Sequence, residues 1–125
     1  FNVALNNRDD HPKNFAYIMT QEGQWELSPA YDVTFCEGPG GYHQMDVMGE
    51  ALSISRAQML RLAQEAEISP DDAGRMIDRI CGVASRFATL AEDLYPGVIT
   101  RDTLRMIQHR IDENVGRLQD GPTHP

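Results

Sequence analysis

The sequence predicts a mainly α-helical chain that carries one small β-hairpin near its start. Two observations lead there. Residues 1–54 are rich in turn formers and contain two short β-favouring runs, whereas from Ser55 onward apolar residues recur at spacings of three and four. The helical stretches also open on Ser or Thr and stop close to Pro or Gly. At 125 residues the chain is long enough for one compact domain with a core of its own. Its expected organisation is loops and hairpin over 1–54, a helical bundle over 55–118 and a polar tail over 119–125.

Taken in order, Phe1-Asn2-Val3-Ala4-Leu5 reads as the tail of an element already under way, so the chain is expected to be a piece of a longer protein. Phe15 to Thr20 is rich in β-formers, Gln21-Glu22-Gly23-Gln24 is a turn candidate, and Trp25-Glu26-Leu27 returns as a second strand. Pro29 borders that strand because it has no N–H to give. A turn centred on Glu22-Gly23 puts Thr20 opposite Trp25, Ile18 opposite Leu27 and Asn14 opposite Tyr31. Gly38-Pro39-Gly40-Gly41 reads as a flexible loop.

Three helices are expected beyond it. Ser55 caps the first, with Gln58 completing a capping box, and the helix runs to about Glu67. Ser69 caps the second, with Pro70 at its first position and Asp71 and Asp72 at the positive end of the dipole. Its apolar positions continue from Met76 and Ile77 to Leu94, where Pro96-Gly97 stops it. Thr100 caps the third, whose buried stripe is Leu104, Ile107, Ile111, Val115 and Leu118. Gly121-Pro122 and the residues beyond are expected to fray.

Composition narrows the function. A net charge of −8 repels phosphate backbones and anionic membranes, which argues against direct nucleic-acid binding and against a membrane partner. No apolar run reaches the length of a membrane span, since Arg75, Arg79 and Arg86 interrupt the most hydrophobic stretch. Cys36 and Cys81 have neither metal-ligand nor disulfide-framework spacing, and two free thiols suit a reducing cytoplasm.

The chemistry lies in Arg8-Asp9-Asp10-His11-Pro12-Lys13-Asn14 and Ser28-Pro29-Ala30-Tyr31-Asp32-Val33. Phosphoryl transfer needs a carboxylate near the attacking hydroxyl and oxygen ligands for magnesium at the nucleotide phosphates. Asp9 and Asn14 have the D-x-x-x-x-N separation in which a base and a metal ligand share one loop, and Asp32 is placed to be the second metal carboxylate. Asp, Asn, His and Pro in a row are also ordinary turn formers, so spacing alone leaves a structural turn open as well.

Together, Asn7 to Phe15 and Leu27 to Val33 resemble the catalytic-loop and metal-loop pair of HipA-type serine/threonine kinases. Gly41-Tyr42-His43 leading into Val47-Met48-Gly49-Glu50 is similar to the segment beyond the metal loop in that family. The Asp-x-His-x-x-Asn core also resembles phosphatidylinositol-type lipid kinases. The resemblance implies the C-terminal helical lobe of a protein-kinase-like α+β fold. It implies Asp9 as catalytic base, Asn14 and Asp32 as the ligands of Mg2+ with ATP, and His11 and Lys13 beside the transferred phosphate, His11 chiefly as a brace.

It implies partners too: a protein substrate phosphorylated on Ser or Thr, a DNA-binding antitoxin opposed to a toxin kinase, and an N-terminal kinase lobe. That lobe would lie outside this chain, which has no G-x-x-x-x-G-K-[ST] and whose single lysine is Lys13. Its apolar contact face is expected among Phe15, Tyr17 and Trp25. Two other readings stand beside this one: a non-enzymatic helical interaction module that keeps kinase motifs as scaffold, and a lobe of a lipid or small-molecule kinase.

Overall fold

In the computed structural model, which describes residues 1–119, the protein is mainly helical with a single two-stranded antiparallel sheet. The expected fraying at Gly121-Pro122 lies outside the described residues. The elements are β1 (Tyr17–Met19), β2 (Trp25–Leu27), α1 (Arg56–Glu65), α2 (Pro70–Ala84), α3 (Phe87–Leu94) and α4 (Arg101–Gln119). Short 3-10 turns cover Pro12–Asn14 and Pro39–Gly41. No helix among the described residues is long and apolar enough to cross a membrane.

The helix starts follow local chemistry. Gln58 Oε1 accepts the Ser55 backbone N–H at 2.8 Å, which fixes the entry to α1. Ser69 Oγ accepts the Asp72 N–H at 3.2 Å over Pro70. Thr100 Oγ1 accepts from the Thr103 N–H at 3.3 Å ahead of α4. The end of α1 comes at Glu65, two residues before the expected Glu67. Glu67 itself takes a left-handed φ of 59°, and the Ile68 N–H returns to the Ala63 carbonyl at 2.8 Å, closing the last turn.

The single helix expected from Ser69 to Leu94 is two helices, α2 and α3, broken at Ser85–Arg86. The break is accommodated from α4. Gln108 donates from Nε2 to the Ala84 carbonyl at 3.1 Å and accepts the Ala88 N–H on Oε1 at 2.8 Å. One side chain thus serves the last carbonyl of α2 and a first-turn N–H of α3, groups that a break would otherwise leave without partners. Gln108→Ala is expected to lower stability by about 1–2 kcal/mol. The loss should be confined in hydrogen exchange to the amides around Ala88, and a uniform loss of protection across the bundle would contradict this role.

α4 packs against α1, α2 and α3 and forms the spine of the bundle. Its expected stripe of Leu104, Ile107, Ile111, Val115 and Leu118 is buried throughout. Ile107, Ile111, Val115 and Leu118 join Ile77, Cys81 and Ala84 of α2 and Ala4 of the N-terminal turn in one core. Met76, Val83 and Leu94, expected on the buried side of the second helix, are exposed, because the break redirects α3 and the core takes only the Ile77–Cys81–Ala84 face. Both cysteines are free, and burial raises the Cys81 thiol pKa above its ordinary value.

The hairpin register differs by one residue from the expected pairing: Tyr17 faces Leu27, Ile18 faces Glu26 and Met19 faces Trp25. The loop holds three residues rather than two. The Gly23 N–H closes a turn onto the Thr20 carbonyl at 2.9 Å, and Thr20 N–H then pairs with the Gln24 carbonyl at 2.8 Å. Gly23 sits at φ 80°, the left-handed position that a three-residue hairpin loop requires. The shift puts Tyr17, Met19, Trp25 and Leu27 on one face of the sheet, and all four are exposed.

Candidate functional site

The loop Asn6–Asn14 is anchored from beneath by buried polar groups, not by apolar packing. Asn6 is fully buried at φ 57°, and Asn7 forms an isolated parallel bridge with Cys36: the Cys36 N–H reaches the Asn6 carbonyl at 2.9 Å and the Arg8 N–H reaches the Cys36 carbonyl at 3.0 Å. Asn6 Oδ1 accepts from Arg8 Nε at 3.1 Å and from Asn114 Nδ2 of α4 at 3.0 Å. Arg8 is 5% exposed and donates through Nη1 to the Gly41 carbonyl. Burial lowers its pKa from the ordinary arginine value, against the raising influence of Glu37.

Asp10 fastens the other side. Its Oδ2 lies 2.8 Å from His43 Nδ1, with both side chains nearly inaccessible, and its Oδ1 accepts the Gln44 N–H at 2.9 Å. Gly38 approaches closely enough that a Cβ there would lie 2.8 Å from Arg8 Cβ and 2.6 Å from the Tyr42 carbonyl oxygen. Arg8 and Asp10, either side of Asp9, therefore hold the 38–44 segment against the loop. Asp9 is left as the carboxylate of that run that faces outward, with its side chain 46% exposed.

On this base three ligand atoms converge. One each from Asp9, His11 and Asp32 lie within 4.8 Å of one another, and His11 Nε2 is 4.0 Å from Asp9 Oδ1. Asp32 arrives from beyond the hairpin at φ 52°, a left-handed conformation that costs a non-glycine residue about 1–2 kcal/mol. The turn leading to it is tied back by the Tyr31 hydroxyl, which donates to the Lys13 carbonyl at 2.7 Å.

Asn14 donates from Nδ2 to the Asp9 carbonyl at 2.7 Å, which leaves its Oδ1 as the oxygen a cation can take. Asn14 and Asp32 line the same cavity of about 180 Å³, together with Asn7, Phe15, Leu27 and Tyr31. Oxygen donors of this kind suit a hard cation such as magnesium. Lys13 is exposed, and its backbone carbonyl accepts from the Tyr31 hydroxyl.

Sequence reasoning assigned no role to Asn6, Arg8, Asp10, His43 or Asn114. The tandem Asp9-Asp10 was the available signal: two adjacent carboxylates point apart, so one facing the site leaves the other to the interior.

A family model described as HipA-like C-terminal domain matches residues 1–87, well over half of the chain. The curated proteins give no significant match, and neither do the solved structures.

Proposed function

The chain belongs to the HipA-like C-terminal domain family, and from that premise we propose that it is the C-terminal lobe of a kinase that transfers the γ-phosphate of ATP to Ser or Thr of a protein substrate. The observation that carries this reading is the return of Asp32 to within 4.8 Å of the Asp9–His11 pair. It unites a carboxylate for the attacking hydroxyl with oxygen ligands for a cation, the parts that phosphoryl transfer requires.

In this reading Asp9 accepts a hydrogen bond from the substrate hydroxyl, aligns it and takes its proton. Asn14 and Asp32 hold magnesium, which when bound neutralises charge on the phosphate oxygens. Asn14 Nδ2 meanwhile locks the Asp9 backbone and so fixes the distance between base and metal ligands. Among the described residues the structure gives His11 no hydrogen bond with which to brace the loop: Nδ1 is unpartnered and Nε2 is 4.0 Å from Asp9 Oδ1, so its part in this reading is its place beside the base, while the exposed Lys13 approaches the phosphates. The toxin role, with a DNA-binding antitoxin as partner, belongs to the same proposal and rests on family membership.

The nucleotide's other side would be covered by a second lobe with a glycine-rich loop and a strand lysine. The exposed hairpin face of Tyr17, Met19, Trp25 and Leu27 supports this, since a two-stranded hairpin with four large apolar side chains in water is marginal alone. Kinase catalysis is positioning plus electrostatics and needs the phosphates held from both sides. The isolated 125-residue chain is therefore expected to transfer no labelled phosphate and to bind Mg–ATP weakly by calorimetry. Tight binding or autophosphorylation by the isolated chain would refute the two-lobe reading. Absence of Mg–ATP binding in a protein that carries both lobes would favour an interaction module instead.

A further inference from the structure

We propose that Asp9, His11 and Asp32 form a binding site for a zinc-class divalent transition metal, with a donor set different from the Asn14–Asp32 oxygens offered to magnesium. One imidazole nitrogen and two carboxylates present ligand atoms within 4.8 Å of one another. Ligands on one tetrahedral zinc sit about 3.3–3.5 Å apart. Small rotations of the partly exposed Asp9 and His11 side chains, now 4.0 Å apart at their nearest ligand atoms, bring the set to that spacing. Magnesium keeps to oxygen ligands and sheds water reluctantly, whereas imidazole favours zinc and its neighbours in the divalent series.

A second observation points to a ligand on the Asp32 side of this cluster. Asn7 is 3% exposed, lines the cavity shared by Asn14 and Asp32, and leaves its Oδ1 without a partner. His11 Nδ1 is likewise buried and unpartnered. Buried polar atoms are almost always satisfied, and an unsatisfied oxygen in the cavity that Asp32 lines, with an unsatisfied nitrogen on His11 itself, marks a place where a hydrated cation completes the hydrogen bonding. The consequence for activity rests on the kinase reading: a metal that holds the Asp9 carboxylate withdraws it from the substrate hydroxyl, so zinc inhibits where magnesium supports.

The test is a calorimetric titration of zinc chloride into the purified chain, with magnesium chloride for comparison. The expected result is a single zinc bound at least about tenfold more tightly than magnesium. His11→Ala and Asp32→Asn should each weaken it at least about tenfold, whereas His109→Ala on α4 should not. Circular dichroism shows whether each variant is folded, and His11→Gln replaces His11→Ala if the latter is not. No zinc binding overturns the proposal. So does zinc that survives the His11 substitution but is lost in His109→Ala, which would assign it to the exposed His109–Glu113 pair on α4. Neither outcome bears on the kinase reading, which is decided by labelled ATP.

Discussion

Asp9→Asn in the protein carrying both lobes is expected to lower phosphoryl transfer by at least about a hundredfold. Stability should change by no more than about 0.5 kcal/mol. The two halves of this expectation have separate causes. The Asp9 carboxylate is 46% exposed, and His11 Nε2 stands 4.0 Å from its Oδ1, beyond hydrogen-bonding distance. The structural contact of this residue is its backbone carbonyl, which accepts from Asn14 and is untouched by the substitution. What the amide lacks is the negative charge and basicity needed to take the hydroxyl proton.

Asp32→Asn should behave in the same way, for a further reason. Asp32 occupies a left-handed conformation that asparagine tolerates as readily as aspartate, so the backbone need not move. Transfer of labelled phosphate measures the first effect and chemical denaturation the second. Near wild-type activity in Asp9→Asn would remove Asp9 as the base. Unfolding would instead make Asp9 a structural turn residue.

The largest stability effect outside the apolar core is expected at Asn114. Its side chain, 2% exposed, donates to the Ala4 carbonyl at 3.4 Å and to Asn6 Oδ1 at 3.0 Å, and its own oxygen accepts from Arg117 at 2.5 Å. Asn114→Ala strands these buried partners and should cost about 2–3 kcal/mol. The loss reaches the site because Asn6 also orients Arg8, which precedes Asp9. Hydrogen exchange should quicken at the Arg8 and Cys36 amides, which form the Asn7–Cys36 bridge beneath the loop, while the Tyr17–Leu27 hairpin is unchanged. A cost under about 0.5 kcal/mol would show that water or a neighbouring group replaces the side chain, and that α4 does not govern the loop.

By itself the sequence determined whatever depends on neighbours along the chain. Ser55, Ser69 and Thr100 cap their helices because a cap is closed within three residues. The stripe from Leu104 to Leu118 is buried because helical periodicity is local. The spacing of Asp9 and Asn14 was legible for the same reason, since one tight loop contains both.

Tertiary structure alone decided the rest. Glu22-Gly23 and Gln21-Glu22-Gly23 are both acceptable loops, so the hairpin register depended on which hydrogen bonds closed in three dimensions. The apolar period runs unbroken through Ser85–Arg86, and Gln108, brought in by α4, supplies partners on both sides of the break. Asn6, Arg8 and Asp10 have the composition of a solvated turn, yet they are buried, because Asn114, Gly41, His43 and Gln44 arrive from far along the chain to satisfy them. A polar side chain enters the interior only where partners meet it, and those partners are set by the packing of α4 and the 38–44 segment, which no local pattern records.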